Sequence, residues 1–81
     1  MEDIKLEDII EILEDVEEGI DYEHVTDLVD GKHLDSFDII AIINAISDEY
    51  DISIPAKDIV PENFNSAQAI CNLVKRLVDE D

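Results

Sequence analysis

Few groups in this chain are equipped for chemistry, and the first to consider is Ser36. It stands between Asp35 and Asp38 in the stretch LDSFDII, Leu34 to Ile40, where a run of isoleucines begins. A hydroxyl in that position has two uses. It can cap a helix by accepting a backbone N–H bond, a task Asp35 could also perform, and loss of such a cap costs about 1 kcal/mol. Alternatively, it can carry a covalent modification, because the exposed N–H groups and the dipole at a helix start suit a phosphate group. Nucleophilic catalysis finds no support, since no G-x-S-x-G elbow surrounds Ser36 and the histidines, His24 and His33, precede it on a probable-loop composition. Asp35 and Asp38 would repel a phosphodiester, so they read as a recognition mark for a basic partner enzyme and not as its holders. Cys71 is the sole cysteine. It excludes an internal disulfide and a Cys-rich metal site, and its place beside an apolar stripe makes it half-buried filler. No EF-hand is present either, because Thr26 and Leu28 fall where the first two ligands before Gly31 should be. No catalytic and no metal-ligating residue is expected.

Positioning Ser36 requires helices, and the apolar periodicity supplies them. Leu6, Ile9, Ile12, Leu13 and Val16 recur at helical spacing. They predict a first helix from about Asp3 to Glu17, ended by Gly19 in a left-handed conformation. Residues Ile20 to Leu34 lack a sustained period. They read as a long loop tucking Val25, Leu28 and Val29 under itself, with a turn at Asp30-Gly31, and such a loop in so small a domain suggests function. The second helix should start at Asp35 or Ser36 and end near Tyr50, with Ile39, Ile42, Ile43, Ile46 and Tyr50 as its core stripe. Ala56 to Val60 should form one short helical turn stopped by Pro61. Asn65-Ser66 should cap a last helix over Ala67 to Val78, with the stripe Ile70, Leu73, Val74, Leu77 and Val78, and with Lys75 and Arg76 near the negative end of its dipole. Tyr22 and Tyr50 read as structural, and Phe64 as a core plug. The expected fold is all-α: a small four-helix bundle, three main helices plus one short one, with a long loop between the first and second. Residues 1–81 form one domain.

The second helix carries more apolar surface than a core face needs. At roughly 100° per residue, Ile40 sits at the edge of the stripe, and Phe37, Ala41 and Asn44 lie further round towards solvent. Phe37 and Ile40, beside Ser36, are a candidate contact patch, unless the long loop folds over them.

Composition limits the partners. The 81 residues include 5 basic and 23 acidic ones, for a formal charge of -18. Nucleic-acid binding is excluded, since phosphate contacts need Lys and Arg, and attraction to an anionic membrane is disfavoured. Basic patches on partner proteins would be drawn in. Yet 46% of residues are hydrophobic and periodically placed, which separates the chain from a disordered acidic tail. No apolar run could span a bilayer and MEDIKLEDII is no secretory signal, so the expectation is a cytoplasmic monomer without membrane insertion.

Three stretches together resemble the acyl carrier proteins, the phosphopantetheine-bearing carriers of thioester metabolism. Asp35-Ser36-Phe37-Asp38 looks like the family's D-S-L or D-S-F at the start of the second helix. Asp48-Glu49-Tyr50-Asp51-Ile52-Ser53-Ile54-Pro55 is similar to E-E-F-x-(I/V)-x-I-P, and Asn63 to Ile70 resembles the entry into the last helix. The resemblance covers nearly the whole chain. It implies that Ser36 bears 4'-phosphopantetheine, transferred from coenzyme A by a phosphopantetheinyl transferase (holo-carrier synthase). The arm would hold an acyl or aminoacyl group as a thioester, so the chain would be a carrier and not an enzyme. Asp35, Phe37, Asp38, Ile40 and Ala41 fall where such carriers meet partners: an adenylating ligase, and acyltransferase or synthase enzymes. Fatty-acid-synthesis carriers have glutamates along the second helix where this chain has Ala41, Asn44 and Ser47. Leu34-Asp35-Ser36-Phe37 is closer to the L-D-S-F of D-alanyl or stand-alone carriers. The competing reading is an acidic helical interaction module in which Ser36 is only a cap.

Overall fold

The computed structural model describes residues 4–80. Helices α1 (Leu6–Val16), α2 (Ser36–Tyr50), α3 (Pro61–Phe64) and α4 (Ala67–Glu80) are joined by the long loop 17–35 and by a connector containing a 3-10 turn, Ala56–Asp58. This is the expected small helical bundle, with no strand among the described residues. No described helix is long and apolar enough to cross a membrane.

The periodic residues close one core, except Leu6, expected in the α1 stripe but exposed at the first position of the helix. Ile9 and Leu13 of α1, Ile42 and Ile46 of α2, and Ile70 and Val74 of α4 are all fully buried, together with Phe64. Helix α1 packs on both α2 and α4, and α3 packs on α4. Burial of such side chains, at about 1.5–3 kcal/mol each, is the main force available to hold a chain this acidic.

Several local expectations need correction. Helix α1 begins at Leu6, and the expected start at Asp3 lies outside the described residues. Its end is made by extended Glu17, whose N–H donates to Leu13 O at 2.9 Å; Gly19, at φ 89°, only redirects the chain two residues later. At the Asp30-Gly31 turn the left-handed residue is Lys32 (φ 60°), not Gly31. Glycine is needed for space, because a Cβ at residue 31 would collide with the side chain and backbone of Asp27. Pro61 does not stop a helix but starts α3, where its missing N–H costs nothing. Cys71 is fully buried, not half-buried, and burial pushes its thiol up despite nearby Lys75. Helix α4 runs on to Glu80, so Lys75 and Arg76 lie before its last turn.

The long loop is held from inside and from one flank. Tyr22, Leu28 and Leu34 are buried beneath it. Asn65 does not cap α4; that task falls to Ser66, whose Oγ accepts from Ala69 N at 3.0 Å. The Asn65 side-chain oxygen instead accepts from Val29 N and Asp30 N, both at 3.0 Å, and its backbone oxygen accepts from Leu28 N at 2.8 Å. These bonds fix the loop against the α3–α4 junction and so set its approach to α2.

Candidate functional site

The start of α2 separates two roles that the sequence left joined. Asp35 is the N-cap: its Oδ1 accepts from Asp38 N at 2.9 Å, and Asp38 Oδ2 accepts from Asp35 N at 3.2 Å. This reciprocal capping box leaves Ser36 as the first helical residue. Ser36 is exposed, and its hydroxyl has no hydrogen-bond partner among the described residues. The cap reading of Ser36 is thereby corrected, since the capping acceptor is the Asp35 side chain. Leu34, just ahead of the cap, is buried and ties the turn to the core.

Around this hydroxyl the surface is apolar on one side and acidic on the other. Phe37 is 81% exposed and Ile40 55% exposed, one helical turn apart. Ala41 is also exposed. The loop does not fold over Phe37 or Ile40, so neither is a core residue. Asp38 is half-buried, and the Glu17 carboxyl at the end of α1 comes against it. The charge of Asp38, then partial burial, a hydrogen bond with the Asp38 side chain and the charge of Asp35 together raise the Glu17 pKa. Glu17 is a member of this cluster that the sequence did not disclose, because the meeting of α1's end with α2's start is a tertiary event. Three carboxyl groups, those of Glu17, Asp35 and Asp38, thus gather at the start of α2 and oppose a bound anion there, against the attraction of the helix dipole.

Tyr22 buttresses the same region. Its hydroxyl lies 2.6 Å from Glu17 O and 3.2 Å from Leu13 O, serving the carbonyls that end α1. Burial, then the charges of Glu17, Asp38 and Glu14, push its phenol up to about 12.

The histidines turn away to loop aspartates, His24 to Asp21 at 2.8 Å and His33 to Asp27 at 3.4 Å. Asp21, Glu23 and His24 each offer an atom within 4.8 Å of the others, but all three are exposed, and exposed acidic groups gather so without a metal in many proteins. On the flank of α2, Val29, Ile39, Ile59, Val60, Pro61 and Phe64 line an apolar groove of about 130 Å³. Farther off, Asp58 is 7% exposed and its Oδ1 accepts from Arg76 Nη2 at 3.0 Å, while Oδ2 has no partner among the described residues. Sequence reasoning assigned Arg76 to the helix dipole and missed this pair, whose 18-residue separation carries no periodic signal. No family model, curated protein or solved structure matches the chain.

Proposed function

We propose that this chain is a carrier protein, bearing 4'-phosphopantetheine on Ser36 and presenting an acyl or aminoacyl thioester to partner enzymes. The observation that carries the reading is the exposed Ser36 hydroxyl at the first position of α2, without a hydrogen-bond partner among the described residues, with helix capping delegated to Asp35. A serine retained only as a cap would be expected to make the cap bond. Phe37, Ile40 and Ala41 supply an apolar landing surface next to the hydroxyl, and Asp35 and Asp38 supply acidic contacts for a basic enzyme. The resemblance of the Asp35–Asp38 stretch and of the segments around Asp48–Pro55 and Asn63–Ile70 to acyl carrier proteins points the same way. The chemistry would reside in the arm and the partners, while this fold supplies position and a recognition surface. Its partners would be a phosphopantetheinyl transferase, an adenylating ligase and an acyltransferase or synthase. The groove beside α2, about 130 Å³, is below the ~300–1,000 Å³ of sites that enclose drug-sized ligands, so a long cargo would stay outside unless the core parts.

The test is intact mass after incubation with coenzyme A, magnesium and a broad-specificity phosphopantetheinyl transferase, with Ser36→Ala in parallel. One added phosphopantetheine on the wild-type chain and none on the variant is the expected result. Loading of the variant would overturn the assignment of Ser36. No loading of either, with a control carrier modified in the same tube, would favour the acidic interaction module.

A further inference from the structure

A second surface lies along α1. An open groove of about 630 Å³ runs from Lys5 to Glu14. Its apolar part comes from Leu6, which is 36% exposed, and half-buried Ile10, one turn further on. Glu7, Glu11 and Glu14 line it from the same helix and Glu23 from the long loop, with Lys5 alone carrying positive charge at one end.

The stability of α1 accounts for only part of this arrangement: Glu7, in the first turn, is favoured by the helix dipole, while Glu11 and Glu14 lie beyond that turn. Glu7 and Glu11 stand four residues apart, Glu11 and Glu14 three, and like charges at those spacings destabilise a helix. The last turn of α1 has no basic residue, and Lys5 makes no capping bond. The acids beyond the first turn therefore crowd a helix that gains little from them, beside exposed Leu6 and half-buried Ile10. A partner bringing both positive charge and apolar side chains would relieve both conditions. A bare polycation would leave Leu6 and Ile10 wet, and an apolar ligand would leave the glutamates unpaired.

We propose that this groove docks a basic amphipathic helix of a partner protein, with its apolar stripe on Leu6 and Ile10 and its lysines or arginines on Glu7, Glu11, Glu14 and Glu23. The groove does not include Ser36. Its Glu14 lies one turn before Glu17 and acts with Glu17 and Asp38 on Tyr22, so the two surfaces adjoin, and docking here does not require the arm or its cargo.

The experiment uses the unmodified chain and a synthetic amphipathic helix of ~14 residues, about four turns, with leucine on one stripe and lysine or arginine elsewhere. Amide shifts are mapped by NMR, and affinity is read by fluorescence anisotropy at low and moderate salt. Shift changes should centre on residues 5–14 and Glu23. The variant Glu7→Gln/Glu11→Gln/Glu14→Gln should bind at least roughly tenfold more weakly. A variant that loses the same charge elsewhere, Asp48→Asn/Glu49→Gln/Asp51→Asn, should stay within about twofold of wild type. Leu6→Gln, at an exposed position that leaves the core intact, should weaken binding as well. Equal weakening by both charge variants would mean that only the overall field attracts the peptide, and would overturn the proposal. So would shift changes centred on Phe37 and Ile40, or no binding.

Discussion

Three substitutions at the start of α2 should separate capping from carrying. In Asp35→Ala both bonds of the capping box are lost, the 2.9 Å bond from Asp38 N to Asp35 Oδ1 and, with the turn loosened, the 3.2 Å bond from Asp35 N to Asp38 Oδ2. Loss of a cap costs about 1 kcal/mol, within 0.5–2. In a domain of this size that lowers the thermal midpoint by about 4–8 °C, or the urea midpoint by roughly 1 M at a slope near 1 kcal/mol/M. Removing one of the carboxylates that crowd Glu17 returns part of this cost, so the full loss should emerge at moderate salt, where repulsion is screened. Asp35→Asn keeps the acceptor and sheds the charge, and should match wild type or exceed it. Ser36→Ala removes a hydroxyl that bonds nothing among the described residues and should change stability by less than about 0.5 kcal/mol, while abolishing loading with phosphopantetheine. Urea unfolding followed by circular dichroism measures all three. If Ser36→Ala destabilises as much as Asp35→Ala, the assignment of the cap is wrong, and with it the case that the serine hydroxyl is held in reserve.

Four further outcomes can be measured. Phe37→Ser and Ile40→Ser, at side chains 81% and 55% exposed, should slow loading by the transferase while leaving the urea midpoint nearly unchanged; a collapse of the fold would place them in the core. Tyr22→Phe removes the Tyr22 donor from Glu17 O and one of two donors from Leu13 O, which keeps its bond from Glu17 N, and should cost about 1–3 kcal/mol. Because the folded Tyr22 phenol titrates near 12, above its usual value near 10, its contribution is complete below pH 10 and falls as pH rises through the folded value; the Phe variant should lack that alkaline loss in unfolding curves. Arg76→Ala strands the buried Asp58 carboxylate and should destabilise by about 1.5–3 kcal/mol, read from the same curves. Glu17 has a raised folded pKa, so its favourable contribution exists below the usual carboxylate range and is lost as pH rises through the folded value; Glu17→Gln should therefore stabilise the chain at neutral pH, less so in high salt.

The helices that hold the site were legible because they are periodic. The stripes of α1, α2 and α4 named the buried residues Ile9, Leu13, Ile42, Ile46, Ile70 and Val74, and the cap signal and the isoleucine run gave a second helix starting at Asp35 or Ser36 and ending near Tyr50, observed as Ser36–Tyr50. What was not legible depends on contacts between distant residues. Asn65 looks like a cap because Asn is a good one, yet its side chain is drawn to the N–H groups of Val29 and Asp30, and Ser66 is left to do the capping. Tyr22 and Glu17 belong to the candidate site only because the loop brings the end of α1 back to α2. Asp35 and Ser36 could not be ranked as caps from composition, since both residue types are preferred there. Their order relative to the first helical turn decided the matter.

That order has a consequence for a carrier. A capping oxygen must accept a backbone N–H bond in a fixed geometry. If Ser36 were the cap, esterifying its oxygen would strain or break that bond, and loading would then be coupled to melting of the first turn of α2. With Asp35 holding the turn, Ser36 can gain a substituent without losing any bond the fold relies on. Were Ser36 loaded as proposed, the carboxyl groups of Glu17, Asp35 and Asp38 gathered at the helix start would oppose a phosphate folding back onto it, where the N–H groups of the first turn would otherwise attract it. The loaded and unloaded chains should accordingly unfold at the same urea concentration within about 0.5 kcal/mol of stability, and amide shifts should change only near residues 35–40. A loaded form stabilised by several kcal/mol would mean that the arm packs on the protein in spite of these carboxyl groups.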